Sequence, residues 1–168
     1  ILHKGKIVYE NYFGALDPDG VHAVMSVSKS FTGTLGAFLV ANGVLDEQKT
    51  AGYYVPELKH SAFADATIRD LLDMKTALKY SENYSNPNAE VFIFSDAGTP
   101  CHPTDYEGPT HYYEYLQTVK KTGEHGQRFA YKTINVDVLG WVISRVTGKS
   151  IPDLISELIW QPLGTHFD

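Results

Sequence analysis

Strand-forming residues of any strength are confined to the start of the chain. Ile1-Leu2 and Ile7-Val8-Tyr9 are β-prone runs on either side of a Lys4-Gly5-Lys6 turn. A lone hairpin is marginal in water, so these strands need further sheet to pair with. Beyond them the apolar spacing is helical almost to the last residue. This pattern predicts an α/β chain of the α+β type, mostly helical, with an N-terminal antiparallel strand pair. One domain is expected over 1–168, with the strand pair in 1–14 and a mainly helical region in 15–168. A two-stranded ribbon followed mainly by helices reads as an incomplete fold.

The helices carry their own punctuation. Ser26 to Asn42 reads as a helix with Val27, Phe31, Leu35, Phe38 and Leu39 near helical spacing, and Gly43 placed to end it. Thr67-Ile68-Arg69-Asp70 has the form of a capping box, with Asp in place of the usual Glu or Gln. Thr110 is the expected cap of a helix carrying Tyr112, Tyr115, Leu116 and Val119. Asn135 to Thr147 places Val138, Leu139, Val142, Ile143 and Val146 on one side, with Gly148 as the stop. Ser150-Ile151-Pro152-Asp153 opens a last helix with a stripe of Ile151, Leu154, Ile155, Leu158 and Ile159. Between Tyr80 and Thr110, four prolines and two glycines predict a long irregular loop. Such loops are often functional.

Several function classes can be set aside. The 168 residues carry 20 acidic and 14 basic side chains, a net charge of -6, and Lys120-Lys121 is the only basic doublet. That is no nucleic-acid-binding footprint. No apolar run reaches the ~18 residues of a membrane span. Cys101 is the only cysteine, which excludes an internal disulfide and any cysteine metal cluster, and no role is assigned to it. The seven histidines (His3, His22, His60, His102, His111, His125 and His166) lack the spacing of a metal motif, so no metal site is expected.

The sharpest chemical feature is Ser26-Val27-Ser28-Lys29. On a helix, Ser26 and Lys29 share a face. At a helix N-terminus, unpaired backbone N–H groups favour a developing oxyanion. A lysine that sheds its proton in a dry site can take the serine proton. By itself the spacing is weak: this composition yields roughly 0.65 such pairs by chance. A capping serine followed by a solvated lysine fits equally. Tyr131, just before a strongly periodic helix, has the chemistry for proton transfer if a cation stabilises its phenolate. It fits a core or surface tyrosine as well.

Context decides between these readings. Ser26-Val27-Ser28-Lys29-Ser30-Phe31-Thr32-Gly33, preceded by a Gly-Lys-Ile-Val-Tyr-Glu strand, resembles the serine β-lactamase-like family. The likeness is to its class C, penicillin-binding and esterase branch. Leu71-Leu72-Asp73-Met74-Lys75-Thr76-Ala77-Leu78 is similar to that family's Leu-Leu-x-Met-Thr-Ser-Gly-Leu segment. Tyr131 to Gly140 with Trp141-Val142-Ile143 resembles its tyrosine box and following helix. Ile159-Trp160-Gln161-Pro162-Leu163-Gly164 resembles its Pro-Leu-Gly segment. The Tyr-x-Thr-x-Asn-x-Asp-x-Leu-Gly-Trp run points to the nylon-oligomer (6-aminohexanoate-oligomer) hydrolases and related carboxylesterases.

The resemblance implies a β-lactamase-like fold and a serine hydrolase. Ser26 would be the acyl-accepting nucleophile and one oxyanion N–H donor, Lys29 its base and Tyr131 the proton relay. It implies a small-molecule amide or ester substrate, an acyl-enzyme opened by water, and no metal or organic cofactor. Two departures stand out. Thr133 occupies the place of the family's tyrosine-box Asn, and Asn135 is the candidate to compensate. The family's late Lys-Thr-Gly or His-x-Gly box has no match here, so the chain is expected to be the N-terminal portion of a longer hydrolase, with strands supplied by a partner chain as the alternative. Thr133, Asn135 and Tyr84 are the expected substrate contacts. Glu82, Asp96 and Asp105 are candidates to meet a substrate ammonium. An oligomer remains open. The alternatives are a penicillin-interacting peptidase or β-lactamase, and a binding module without catalysis.

Overall fold

The computed structural model describes residues 1–165. In chain order it contains β1 (Leu2–His3), β2 (Lys6–Ile7), a 3-10 turn at Met25–Val27 and α1 (Ser28–Ala41). Next come α2 (Ala51–Tyr54), a 3-10 turn at Pro56–His60, α3 (Ile68–Leu72) and α4 (Glu90–Ala97). The chain continues through α5 (Tyr112–Thr118), α6 (Ile134–Thr147), α7 (Ile151–Ile155), a π turn at Ser156–Trp160 and α8 (Gln161–Leu163).

The strand pair is antiparallel, with Leu2 opposite Ile7 and His3 opposite Lys6. Lys4 and Gly5 both have positive φ (50° and 74°). That is the two-residue turn whose twist matches the strands it joins. The ladder is shorter than the β-prone runs predict. Only Ile1 stands opposite Val8, whose N–H reaches the Ile1 carbonyl at 3.0 Å. Among the described residues this is the only sheet, and every residue from Ile1 to Ser28 is exposed.

The core gathers around α6. That helix buries Ile134, Asn135, Val138, Leu139, Trp141, Val142 and Ile143. Leu35 and Leu39 of α1, Ile68 and Leu71 of α3, Phe63, Leu116 and Leu154 pack into the same cluster. Each such apolar side chain contributes about 1.5–3 kcal/mol relative to exposure. α1 approaches closely because Gly36 has no side chain: a Cβ there would lie 3.1 Å from Leu72 Cδ2 and 3.2 Å from Leu139 Cδ2. Val27 and Phe38, expected on the core stripe of α1, are exposed instead.

Most punctuation falls where the sequence places it. Thr67 Oγ1 accepts from Asp70 N–H at 3.0 Å, and Asp70 Oδ2 accepts from Thr67 N–H at 3.0 Å, completing the box. Gly43 and Gly148 take left-handed φ of 71° and 69° after α1 and α6. Ser150 caps α7.

Three expectations need correction. The 80–110 segment is not an unbroken loop, because it contains α4. That helix has no capping side chain at Ala89; Phe94 holds it to Tyr115, Tyr112 and Tyr80 with ring centroids 5.3, 4.5 and 6.4 Å apart. The cap of α5 is His111, whose Nδ1 accepts from Glu114 N–H at 3.1 Å. Thr110 donates its N–H to the Glu114 carboxylate one residue earlier. Finally, Ser26 sits in a 3-10 turn, and the α-helix begins two residues later. His166, one of the histidines weighed for a metal site, lies outside the described residues.

Candidate active site

Ser26 is presented by a strained turn. Met25, just before it, has φ +48°, the left-handed region that a side chain other than glycine rarely adopts. One turn of helix then brings Lys29 back over Ser26. Lys29 Nζ donates to Ser26 Oγ at 2.9 Å. From the far side, Tyr131 OH donates to the same Oγ at 2.9 Å, across 105 positions of sequence. Lys29 Nζ also stands 5.5 Å from the centre of the Tyr131 ring. The three residues singled out for chemistry therefore converge on one oxygen.

Tyr131 is held by its neighbours. Ala130 N–H reaches the Met74 carbonyl at 2.8 Å. Lys132 Nζ donates to the carbonyls of Leu78 at 2.7 Å and Tyr80 at 2.8 Å. Thr133 N–H donates to the Glu82 carboxylate. The strip after α3 thus clamps residues 130–133 on both sides of the phenol. Burial raises the pKa of the Tyr131 phenol, but hydrogen bonds with Ser26 and Lys29 and the lysine charge pull harder. The net direction is below the ordinary tyrosine value of 10.0.

Lys29 opens onto a cleft of ≈ 440 Å³ between α1, α5 and α6. Thr133, just before α6, and Asp137 and Trp141 on it line one side, and Tyr113 lines it from α5. Tyr113 and Trp141 are stacked, with ring centroids 4.2 Å apart and planes 13° apart. Asp137 is the residue that sequence reasoning missed. Its only local signal is a carboxyl between two valines, one helical turn past Thr133. Burial pushes its carboxyl up to about 6, against the pull of the Lys29 charge.

The expected substrate contacts divide. Thr133 faces the cleft. Tyr84 is exposed, donates to Glu82 Oε2 at 3.4 Å and packs edge-on against Phe92. Asn135 does not reach the cleft. It is 0% exposed, and its Oδ1 accepts from Thr76 Oγ1 at 2.6 Å. Its place on α6 falls on the core side with Val138, Leu139 and Val142, which is why it faces inward. Of the three acids considered for a substrate ammonium, Glu82 stands beside the site, while Asp96 and Asp105 are simply exposed. Cys101 is exposed as a free thiol. No helix among the described residues is long and apolar enough to cross a membrane.

Comparison with known proteins identifies the family. A family model described as Beta-lactamase matches residues 1–167. The 6-aminohexanoate-dimer hydrolase of Paenarthrobacter ureafaciens is 33% identical over 168 residues, covering 100% of this chain and 42% of that protein. A solved Bacillus anthracis protein described as a 6-aminohexanoate-dimer hydrolase superposes with a TM-score of 0.82 at 32% identity, over 95% of this chain and 42% of that one. A class C β-lactamase shares the fold, with a TM-score of 0.60 at 23% identity over 84% of this chain and 34% of that one. The chain thus spans less than half the length of the relatives it matches. Its four motif segments, its helical architecture with one antiparallel strand pair and the match along 1–167 lead to one conclusion: the chain belongs to the β-lactamase family of serine hydrolases.

Proposed function

We propose that this chain carries the acylation centre of a hydrolase for linear amides or esters. Ser26 Oγ attacks the substrate carbonyl carbon, and Lys29 Nζ, once unprotonated, takes the hydroxyl proton. Tyr131 relays a proton to the departing amine or alcohol as the carbonyl–leaving-group bond breaks. The resulting Ser26 ester is opened by water, which releases a carboxylic acid and restores the hydroxyl. The Ser26 backbone N–H, in the first turn of the 3-10 segment, supplies one oxyanion donor.

The single observation that carries this reading is the pair of 2.9 Å contacts on Ser26 Oγ from Lys29 and Tyr131. The preference for a linear substrate over a β-lactam rests on Thr133 and Asn135. A carboxamide is absent from position 133, and the nearby Asn135 is turned into the core. The 33% identical relative named for hydrolysing an aminohexanoate dimer supports the same choice.

The test is covalent capture. In the natural gene product, a fluorophosphonate probe should leave one adduct by intact mass, and Ser26→Ala should abolish it together with ester hydrolysis. Unchanged hydrolysis in a folded Ser26→Ala protein would overturn the assignment.

A further inference from the structure

We propose that His125 is a positioning residue for Tyr131: its imidazole stands in for a missing ladder acceptor and so fixes the strip of chain on which the phenol is clamped. The proposal rests on the serine, lysine and tyrosine reading above and adds a residue that acts through the backbone.

The strip is residues 74–80, and alternation along it decides which groups face which neighbour. On one edge, Lys79 N–H donates to the Lys120 carbonyl at 2.7 Å and Thr122 N–H donates to the Ala77 carbonyl at 2.9 Å. Leu78 and Lys121 stand opposite one another there in an antiparallel bridge. On the other edge, the Met74 carbonyl takes Ala130 N–H, and the Leu78 and Tyr80 carbonyls take Lys132 Nζ. The second edge places the two neighbours of Tyr131. The first edge places the strip itself.

The ladder on the first edge breaks at Ala77. In a regular antiparallel pair, Ala77 would donate its N–H back to Thr122. It donates instead to His125 Nδ1 at 2.9 Å. The register shows why. A continuing ladder would bring Glu124 N–H to the Lys75 carbonyl, but Gly126 N–H arrives there at 2.8 Å, two residues late. The surplus residues leave the ladder, and the His125 ring turns back to the strip with its side chain only 5% exposed.

The two bonds of the ring have fixed directions. An amide N–H can only donate, so Nδ1 is the bare nitrogen and Nε2 carries the proton. Nε2 then donates to the Ala62 carbonyl at 2.9 Å, with Asp65 Oδ1 3.3 Å away. Asp65 is held in turn by Lys121 Nζ at 2.5 Å. Loss of the Nδ1 acceptor leaves the Ala77 N–H without its partner and frees the strip to shift on this edge. The Leu78 and Tyr80 carbonyls move with it, followed by Lys132 and the adjoining phenol. Misplacing a reacting group by about 1 Å costs up to about 10²-fold in rate.

The experiment separates the two ring nitrogens in the natural gene product. His125→Asn sets a carboxamide oxygen at the Nδ1 position. His125→Gln extends its amide to the Nε2 position and leaves Ala77 without an acceptor. His125→Gln should lower kcat for ester hydrolysis by about 10–100-fold with KM within about twofold, while His125→Asn stays within about threefold of the parent. In a Tyr131→Phe background, His125→Gln should cause no further loss beyond about twofold. If His125→Gln does not fold, His125→Leu, which fills the space and also lacks the acceptor, carries the same comparison. Equal losses in the Asn and Gln variants would mark a purely structural role and overturn the proposal. So would a Gln loss of full size in the Tyr131→Phe background, or a His125→Gln kcat within about threefold of the parent. The two readings fail separately. Undiminished hydrolysis in Tyr131→Phe sinks the tyrosine relay and with it the basis of the proposal, whereas an intact Tyr131 dependence beside an indifferent His125→Gln sinks only the role of His125.

Discussion

Every residue from Ile1 to Ser28 is exposed, whereas α6, three residues after Tyr131, buries seven side chains. The candidate active site is the seam between these two regions. Ser26 belongs to the region with no buried residue, and its placement relies on the start of α1 and on two side-chain contacts. Tyr131 belongs to the region fixed by the core, with carbonyls and a carboxylate clamping the residues beside it. The difference teaches that a reactive centre can be referenced to one rigid side alone. The hydroxyl on the other side is then located by what reaches across to it.

The largest effect should come from cutting that reach. Tyr131→Phe removes the hydroxyl that contacts Ser26 and the proton it would relay. Labelling and hydrolysis rates should fall by about 10²–10⁴, with thermal stability nearly unchanged because the ring is half exposed. A rate within threefold of the parent would show that Ser26 is placed by its own region after all.

A stability pair sharpens the contrast next. Leu139→Ala in α6 should cost about 2–5 kcal/mol in denaturant unfolding. Ile7→Ala in the ribbon should stay within about 0.5 kcal/mol. Equal losses would mean that the ribbon is folded into the same cooperative unit as the core. A small effect is also expected at Met25→Gly. Glycine adopts positive φ freely, so relief of strain and the extra freedom of the unfolded chain nearly offset each other, within about 1 kcal/mol. The labelling rate should hold within threefold. A loss above tenfold would mean that the Met25 side chain itself serves the reaction.

What could be read from sequence follows the range of the interaction involved. The Thr67–Asp70 box and the left-handed Gly148 are decided within four residues, and both stand as expected. The same holds for Lys29 on Ser26, which needs only one turn of chain. Helix α4 escaped because Val91-Phe92-Ile93-Phe94 is a continuous apolar run with prolines on either side and no capping residue. Contacts with Tyr112 and Tyr115 hold it, and both lie far along the chain. Asn135 misled for a related reason. Its partner, Thr76, is 59 residues away, and nothing adjacent to Asn135 shows that its amide points inward. Asp137 escaped because a carboxyl between two valines does not reveal that one of its oxygens is buried without a partner.

The π turn at Ser156–Trp160 bears on how the chain tolerates insertions and deletions. A π turn is an extra residue that a helix absorbs without ending. Each residue advances an α-helix by about 100°, so that extra residue sets the phase of everything after it. Trp160, packed on Phe31 with ring centroids 5.5 Å apart, meets α1 only in the shifted phase. Substitutions along this stretch alter chemistry and leave the phase intact. Loss of a single residue would swing the indole roughly a quarter of the way around the helix.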